Sequence, residues 1–116
     1  MVSPTLLVGA GGVLGALSRH LLGERIDART RDTLAVNVVG SFLLGALVTA
    51  PIADSVLLVF GTGFCGAFTT FSTFAFETVR LVETGESRRA AINAAVNLVG
   101  ALGAVGLGWL VVDGLT

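Results

Sequence analysis

Four apolar stretches, each long enough to cross a lipid bilayer as a helix, dominate this chain of 116 residues. A hydrocarbon core takes about 20 helical residues to span. The stretches cover roughly residues 4–22, 33–53, 55–82 and 90–112. Between them lie only "GERIDARTRD", a short turn around Asp54, and "ETGESRR". No link has room for a soluble domain, so residues 1–116 read as a single four-helix transmembrane domain. Strands are excluded as the spanning element. An open sheet edge cannot be satisfied in lipid, and the stretches lack the alternation of barrel strands. The expected fold class is an all-α membrane protein.

Composition agrees. The chain is 53% hydrophobic and 13% charged, against about 25% charged in ordinary soluble domains. A net charge of −1 and the absence of a basic patch interleaved with aromatics point away from nucleic acid. Cys65 is the only cysteine, which rules out an intrachain disulfide and a CxxC metal or redox site. The apolar N-terminus has neither a basic leader region nor a small-residue cleavage site, so it reads as a retained helix. Gly11–Gly15 and Ala104–Gly108 have the small-xxx-small spacing that lets transmembrane helices approach closely.

The arginines carry an orientation signal. Arg19, Arg25, Arg29, Arg31, Arg80, Arg88 and Arg89, all seven in the chain, belong to the side bearing the first and third links. The positive-inside rule then places both links in the cytoplasm and both termini outside, in a multi-pass cell-membrane protein.

The third stretch is an unusual membrane segment. Its "GFCGAFTTFSTF", residues 63–74, combines glycines, threonines and phenylalanines. Glycine and threonine are poor helix formers. Two readings stand side by side: a local break near residues 66–70, or an unbroken helix whose threonines bond to their own backbone. A break at membrane depth survives only where protein or water covers it, and its free carbonyls can coordinate a cation. Phe71 and Phe74 share a helical face, as do Phe64 and Phe68. Such pairs usually pack, but a ring edge is the positive end of the aromatic quadrupole and can face an anion.

The polar residues inside the spans are neutral hydrogen-bond donors: Asn37 and Ser41, Ser72 and Thr73, Asn93 and Asn97. They either glue helices together or line a path. No carboxylate sits mid-span. Glu77, toward the cytoplasmic end of the third stretch, comes nearest. A proton-coupled carrier normally needs a titratable group there. No Gly-x-Ser-x-Gly or HExxH motif is present, and His20 and Cys65 have no recognisable catalytic partner, so the chain does not read as an enzyme. What remains is a pore of neutral donors suited to a small, hard anion.

The pieces "GGVLGALSR" (11–19), "TLAVNVVGSFLLG" (33–45), "GFCGAFTTFSTFAFE" (63–77) and "AAVNLV" (94–99) occur in order over nearly the whole chain. With them the chain resembles the CrcB/Fluc family of fluoride channels. The resemblance implies passive fluoride efflux through antiparallel dimers with two pores along the subunit interface. It also implies a structural sodium ion (Na+) held by backbone carbonyls of a broken third helix, here Gly66 and Thr69. Phe71 and Phe74 would turn ring edges to fluoride, with Asn37, Ser72, Thr73 and Asn97 along the pore and Arg19 and Glu77 at its vestibule. Two positions depart from the family pattern. Ala101 replaces a frequent serine, leaving the fourth helix without a hydroxyl in its span, and His20 stands where an aromatic is common. The one-sided arginines also favour one orientation. The implied partner is thus either an oppositely oriented paralogue or a second copy that inserts against its own bias. Two rival readings stand beside it: a small proton-coupled multidrug exporter, which needs a glutamate embedded in the first helix, and a non-transporting assembly subunit, in which the polar residues are only glue.

Overall fold

The computed structural model describes residues 2–25 and 29–116, and the side chains of these apart from 29–31. Residues 26–28, and the Arg29 and Arg31 side chains counted in the charge bias, lie outside the described residues. Every regular element described is a helix: α1 Pro4–Arg25, α2 Arg29–Thr49, α3 Asp54–Leu57, a π-helical stretch Leu58–Cys65, α4 Gly66–Phe68, α5 Ser72–Glu83 and α6 Ser87–Leu115. Among them are four helical spans long and apolar enough to cross a membrane: Pro4–Arg25, Asp32–Thr49, Asp54–Glu83 and Ser87–Leu115. The third gathers α3, the π-helical stretch, α4 and α5.

Local chemistry explains the ends. Arg25 lies in the last turn of α1 and Asp32 in the first turn of α2, each complementing the helix dipole, so helical backbone extends into the polar link. α2 stops at Thr49, just before Ala50–Pro51, because proline disfavours α geometry in the residue ahead of it. α5 closes in a paired C-terminal motif. Glu86 N–H donates to the Leu81 carbonyl at 2.8 Å and Gly85 N–H to the Val82 carbonyl at 3.1 Å. Gly85 sits at φ 83°, where a side chain would be strained.

The main helix contacts pair α2 with α6 and α1 with the π-helical stretch and α4, while α5 also packs on α6. Glycines set these distances. A Cβ on Gly11 would meet the Val59 carbonyl oxygen, and one on Gly15 the Phe64 carbonyl oxygen. Across the other pair, Gly45 faces the Val105 carbonyl and Gly108 the Phe42 carbonyl. Both small-xxx-small pairs therefore lie where helices touch backbone to backbone. Among the described residues the buried apolar side chains are few, Val36, Cys65, Phe68, Ala90 and Ala104. Large residues such as Leu6, Leu17, Leu102 and Leu110 point outward. That inversion suits lipid, where close packing of small residues and interhelical hydrogen bonds replace the hydrophobic drive.

Candidate functional site

α4 ends at Phe68, and Thr69 has extended backbone (φ −79°, ψ 162°) before helix resumes at Ser72. The hydrogen bonds around this turn follow from two side chains. Thr70 N–H, which in a continuous helix would donate to the Gly66 carbonyl, instead donates to Asn37 Oδ1 at 2.7 Å. Asn37 Nδ2 returns a bond to the Thr70 carbonyl at 3.0 Å. The side-chain amide of α2 thus pairs with this peptide as a neighbouring strand would. One step on, Thr73 N–H, whose helical partner would be the Thr69 carbonyl, donates to Thr70 Oγ1 at 3.2 Å. Thr70 so caps the start of α5 in the manner of an N-cap threonine. The two diversions remove the ordinary helical donors from the Gly66 and Thr69 carbonyls.

Around this turn opens a cavity of about 550 Å³, lined among others by Asn37, Gly66, Thr69, Thr70, Phe71, Phe74 and Asn97. No charged side chain lines it among the described residues. A Cβ on Gly66 would touch nothing within 4 Å, so this backbone faces open space. Phe71 is 78% exposed, and its ring centroid lies 5.8 Å from that of Phe74 at a tilt of 54°. Phe64 and Phe68 differ. Their rings stack at 5.5 Å and 16°, and Phe68 is 5% exposed, which makes it a core residue.

The remaining expected site residues fall into three settings. Thr73 and Arg19 line a second cavity of about 400 Å³ together with His20, Glu24 and Asp32. Thr70 borders both cavities. His20 Nε2 lies 3.0 Å from Glu24 Oε1, one turn along α1, and both side chains are exposed. The Ser72 hydroxyl is 3.3 Å from Thr70 Oγ1, part of the capping cluster. Glu77 is buried, at 6% exposure, on the face of α5 turned into the bundle. Asn97 is buried as well. Its Oδ1 accepts from Asn37 Nδ2 at 3.4 Å, and its own Nδ2 donates to the Asn93 carbonyl at 3.0 Å and to Asn93 Oδ1 at 3.2 Å. The amide N–H groups of Asn37 and Asn97 are accordingly engaged within the chain in this arrangement.

Thr70 is a site residue that the sequence expectations do not include. Its signal lies in the sequence: a threonine just ahead of an amphipathic run is an N-cap candidate. The described residues contain no cluster of three or more His, Cys, Asp or Glu side chains able to hold a metal ion.

The profile of the family described as CrcB-like protein, Camphor Resistance (CrcB), matches residues 6–109. The chain belongs to the CrcB family. Among its relatives, fluoride-specific ion channel FluC 2 of Haloarcula marismortui is 52% identical over 108 residues, covering 91% of each chain. Fluoride-specific ion channel FluC 2 of Natronomonas pharaonis is 50% identical over 89% of each. Fluoride-specific ion channel FluC of Methanocaldococcus jannaschii is 45% identical over 88% of each. The CrcB match spans all four membrane helices, including the glycine–threonine turn and both cavities.

Proposed function

We propose that this chain is a subunit of a fluoride-specific channel that lets fluoride leave the cell passively. One observation carries the reading. A charge-free cavity brings together Phe71, Phe74 and the two backbone carbonyls that have lost their helical donors. Its relatives' names agree with it. Neutral donors and ring edges suit an anion that must be held weakly enough to leave. Arg19, in the adjoining cavity, supplies positive charge at the entrance beside Thr73, and Thr70 stands on the wall between. Nothing in the cycle needs a titrating or covalent step, so no enzymatic chemistry is invoked.

The same geometry supports a second chain. Carbonyls without donors cannot face hydrocarbon, and Gly66 and Phe71 lie on an open face. A partner that covers this face turns the cleft into a closed pathway. The proposed partner is an antiparallel second copy or an oppositely oriented paralogue. The seven arginines on one side favour the paralogue, and names numbered 1 and 2 among the relatives fit that reading. The broken third helix is then a device and not a defect. It presents the Gly66 and Thr69 carbonyls, which fit a sodium ion as a hard-oxygen ligand set, with the partner chain completing it. A bound sodium would supply fixed positive charge between the pores. On this chain Asn37 and Thr70 keep those carbonyls free, and Phe71 and Phe74 line the anion's route.

Fluoride efflux from proteoliposomes tests the reading, with chloride run in parallel and any required paralogue present. Fluoride flux well above chloride flux is expected for the native chain, and sharply reduced flux for Phe71→Ile. Fluoride flux at the level of empty liposomes would defeat the reading.

A further inference from the structure

Beyond the pore-facing residues, a set of hydrogen bonds crosses three helical elements in one direction. Thr70 N–H donates to Asn37 Oδ1 at 2.7 Å. Asn37 Nδ2 donates to Asn97 Oδ1 at 3.4 Å. Asn97 Nδ2 donates to Asn93 Oδ1 at 3.2 Å. Asn93 Nδ2 donates to Thr78 Oγ1 at 3.1 Å, and the Thr78 hydroxyl donates to the Phe74 carbonyl at 2.8 Å. Each amide accepts on one side and donates on the other, so the group dipoles run head to tail and reinforce one another. The chain starts where helix is interrupted and ends on the backbone of an aromatic residue in the same cavity.

We propose that Thr78 and Asn93 are positioning residues of the pore, anchoring the far end of this one-way relay so that Phe74 and the Asn37–Thr70 pair keep a fixed relation. Neither residue lines the main cavity. Each acts through another. A threonine hydroxyl bonded to the carbonyl four residues back bends its helix slightly. That bond therefore sets the direction in which α5 carries the Phe74 ring. Asn93, on α6, fixes the Thr78 rotamer by giving its oxygen a donor. It also fixes the Asn97 amide by accepting from it, and through Asn97 the Asn37 amide that holds Thr70. Loss of the Thr78 hydroxyl leaves a part-buried amide N–H without its acceptor, and the relay relaxes from that end. The inference rests on the fluoride-channel reading above.

Valine and serine at position 78 separate positioning from packing. Thr78→Val keeps the shape and removes the hydroxyl; Thr78→Ser keeps the hydroxyl and removes a methyl. The measurement is fluoride efflux from proteoliposomes, alongside size-exclusion elution of each purified variant and with any required paralogue present. The relay predicts that Thr78→Ser stays within about twofold of native flux while Thr78→Val loses about five- to tenfold, the scale of one intramolecular hydrogen bond. A packing role predicts the reverse order, and that result overturns the proposal. Asn93→Leu should lose as much as Thr78→Val, and it carries the test if the valine variant does not assemble. The double variant should lose no more than either single one, because both cut the same chain. Losses that multiply overturn the relay. If the native chain itself passes no fluoride, the channel reading falls and this inference with it. Native flux with an unaffected Thr78→Val overturns the inference alone.

Discussion

Replacing Asn37 by alanine tests the link between helix geometry and the proposed ion path. The Asn37 side chain makes both halves of a pair with the Thr70 peptide, at 2.7 and 3.0 Å, and Thr70 is 8% exposed. Alanine leaves that N–H and that carbonyl without their partner. A buried polar group left unsatisfied costs about 1–3 kcal/mol, so the two together set an upper range of about 2–6 kcal/mol. Part of this is recovered, because Thr70 N–H can fall back on the Gly66 carbonyl as in an ordinary helix. That bond returns about 1 kcal/mol, and the expected net loss is about 1–5 kcal/mol. The recovery has a functional consequence: it occupies the Gly66 carbonyl that the site needs free. Asn37→Asp sharpens the test. A carboxylate still accepts from Thr70 N–H but turns an oxygen toward the Thr70 carbonyl, so it should be destabilised as well. Denaturation of the purified protein in detergent reads the stability, and fluoride efflux from proteoliposomes reads the function. An Asn37→Ala protein with native stability and native flux would refute the pairing argument.

Further substitutions have clear expectations. Phe71→Ala should cost far less stability than a core truncation, because the ring packs little within its own chain, yet cut fluoride flux. Phe68→Ala should cost about 3–5 kcal/mol as a core truncation, and comparing their melting curves checks the division between the aromatic pairs. Gly11→Val and Gly108→Val should prevent assembly, seen as loss of the folded peak on size exclusion, since each new Cβ would strike a carbonyl of the neighbouring helical element. Gly9→Ala, whose Cβ meets nothing within 4 Å, should elute and melt like the native chain. Neutralising the exposed pair of Arg89 and Glu86, 2.9 Å apart, should shift stability by less than about 1 kcal/mol, read from the same melts.

The charge-poor apolar runs were enough to establish a helical membrane protein, because lipid leaves the backbone no other spanning solution of this pattern. The small-residue spacings of Gly11–Gly15 and Ala104–Gly108 already marked helix faces, since residues four apart share a side whatever the fold. The ordered family motifs named the class of channel and the phenylalanines worth testing. What local pattern left open was the state of the third stretch, where breaking and continuing the helix had comparable propensity. Thr70 bonds to Asn37, 33 residues away in sequence. No local rule predicts that pairing, because it exists only once α2 lies against the turn. The same holds for Asn37 to Asn97, 60 residues apart, and for Asn93 to Thr78 across α5 and α6. Asn37 and Asn97 were legible as polar residues in a membrane. That their N–H groups are spent on one another and on backbone was decided by tertiary structure, because in hydrocarbon each polar group must find a partner and only the packed helices determine which one.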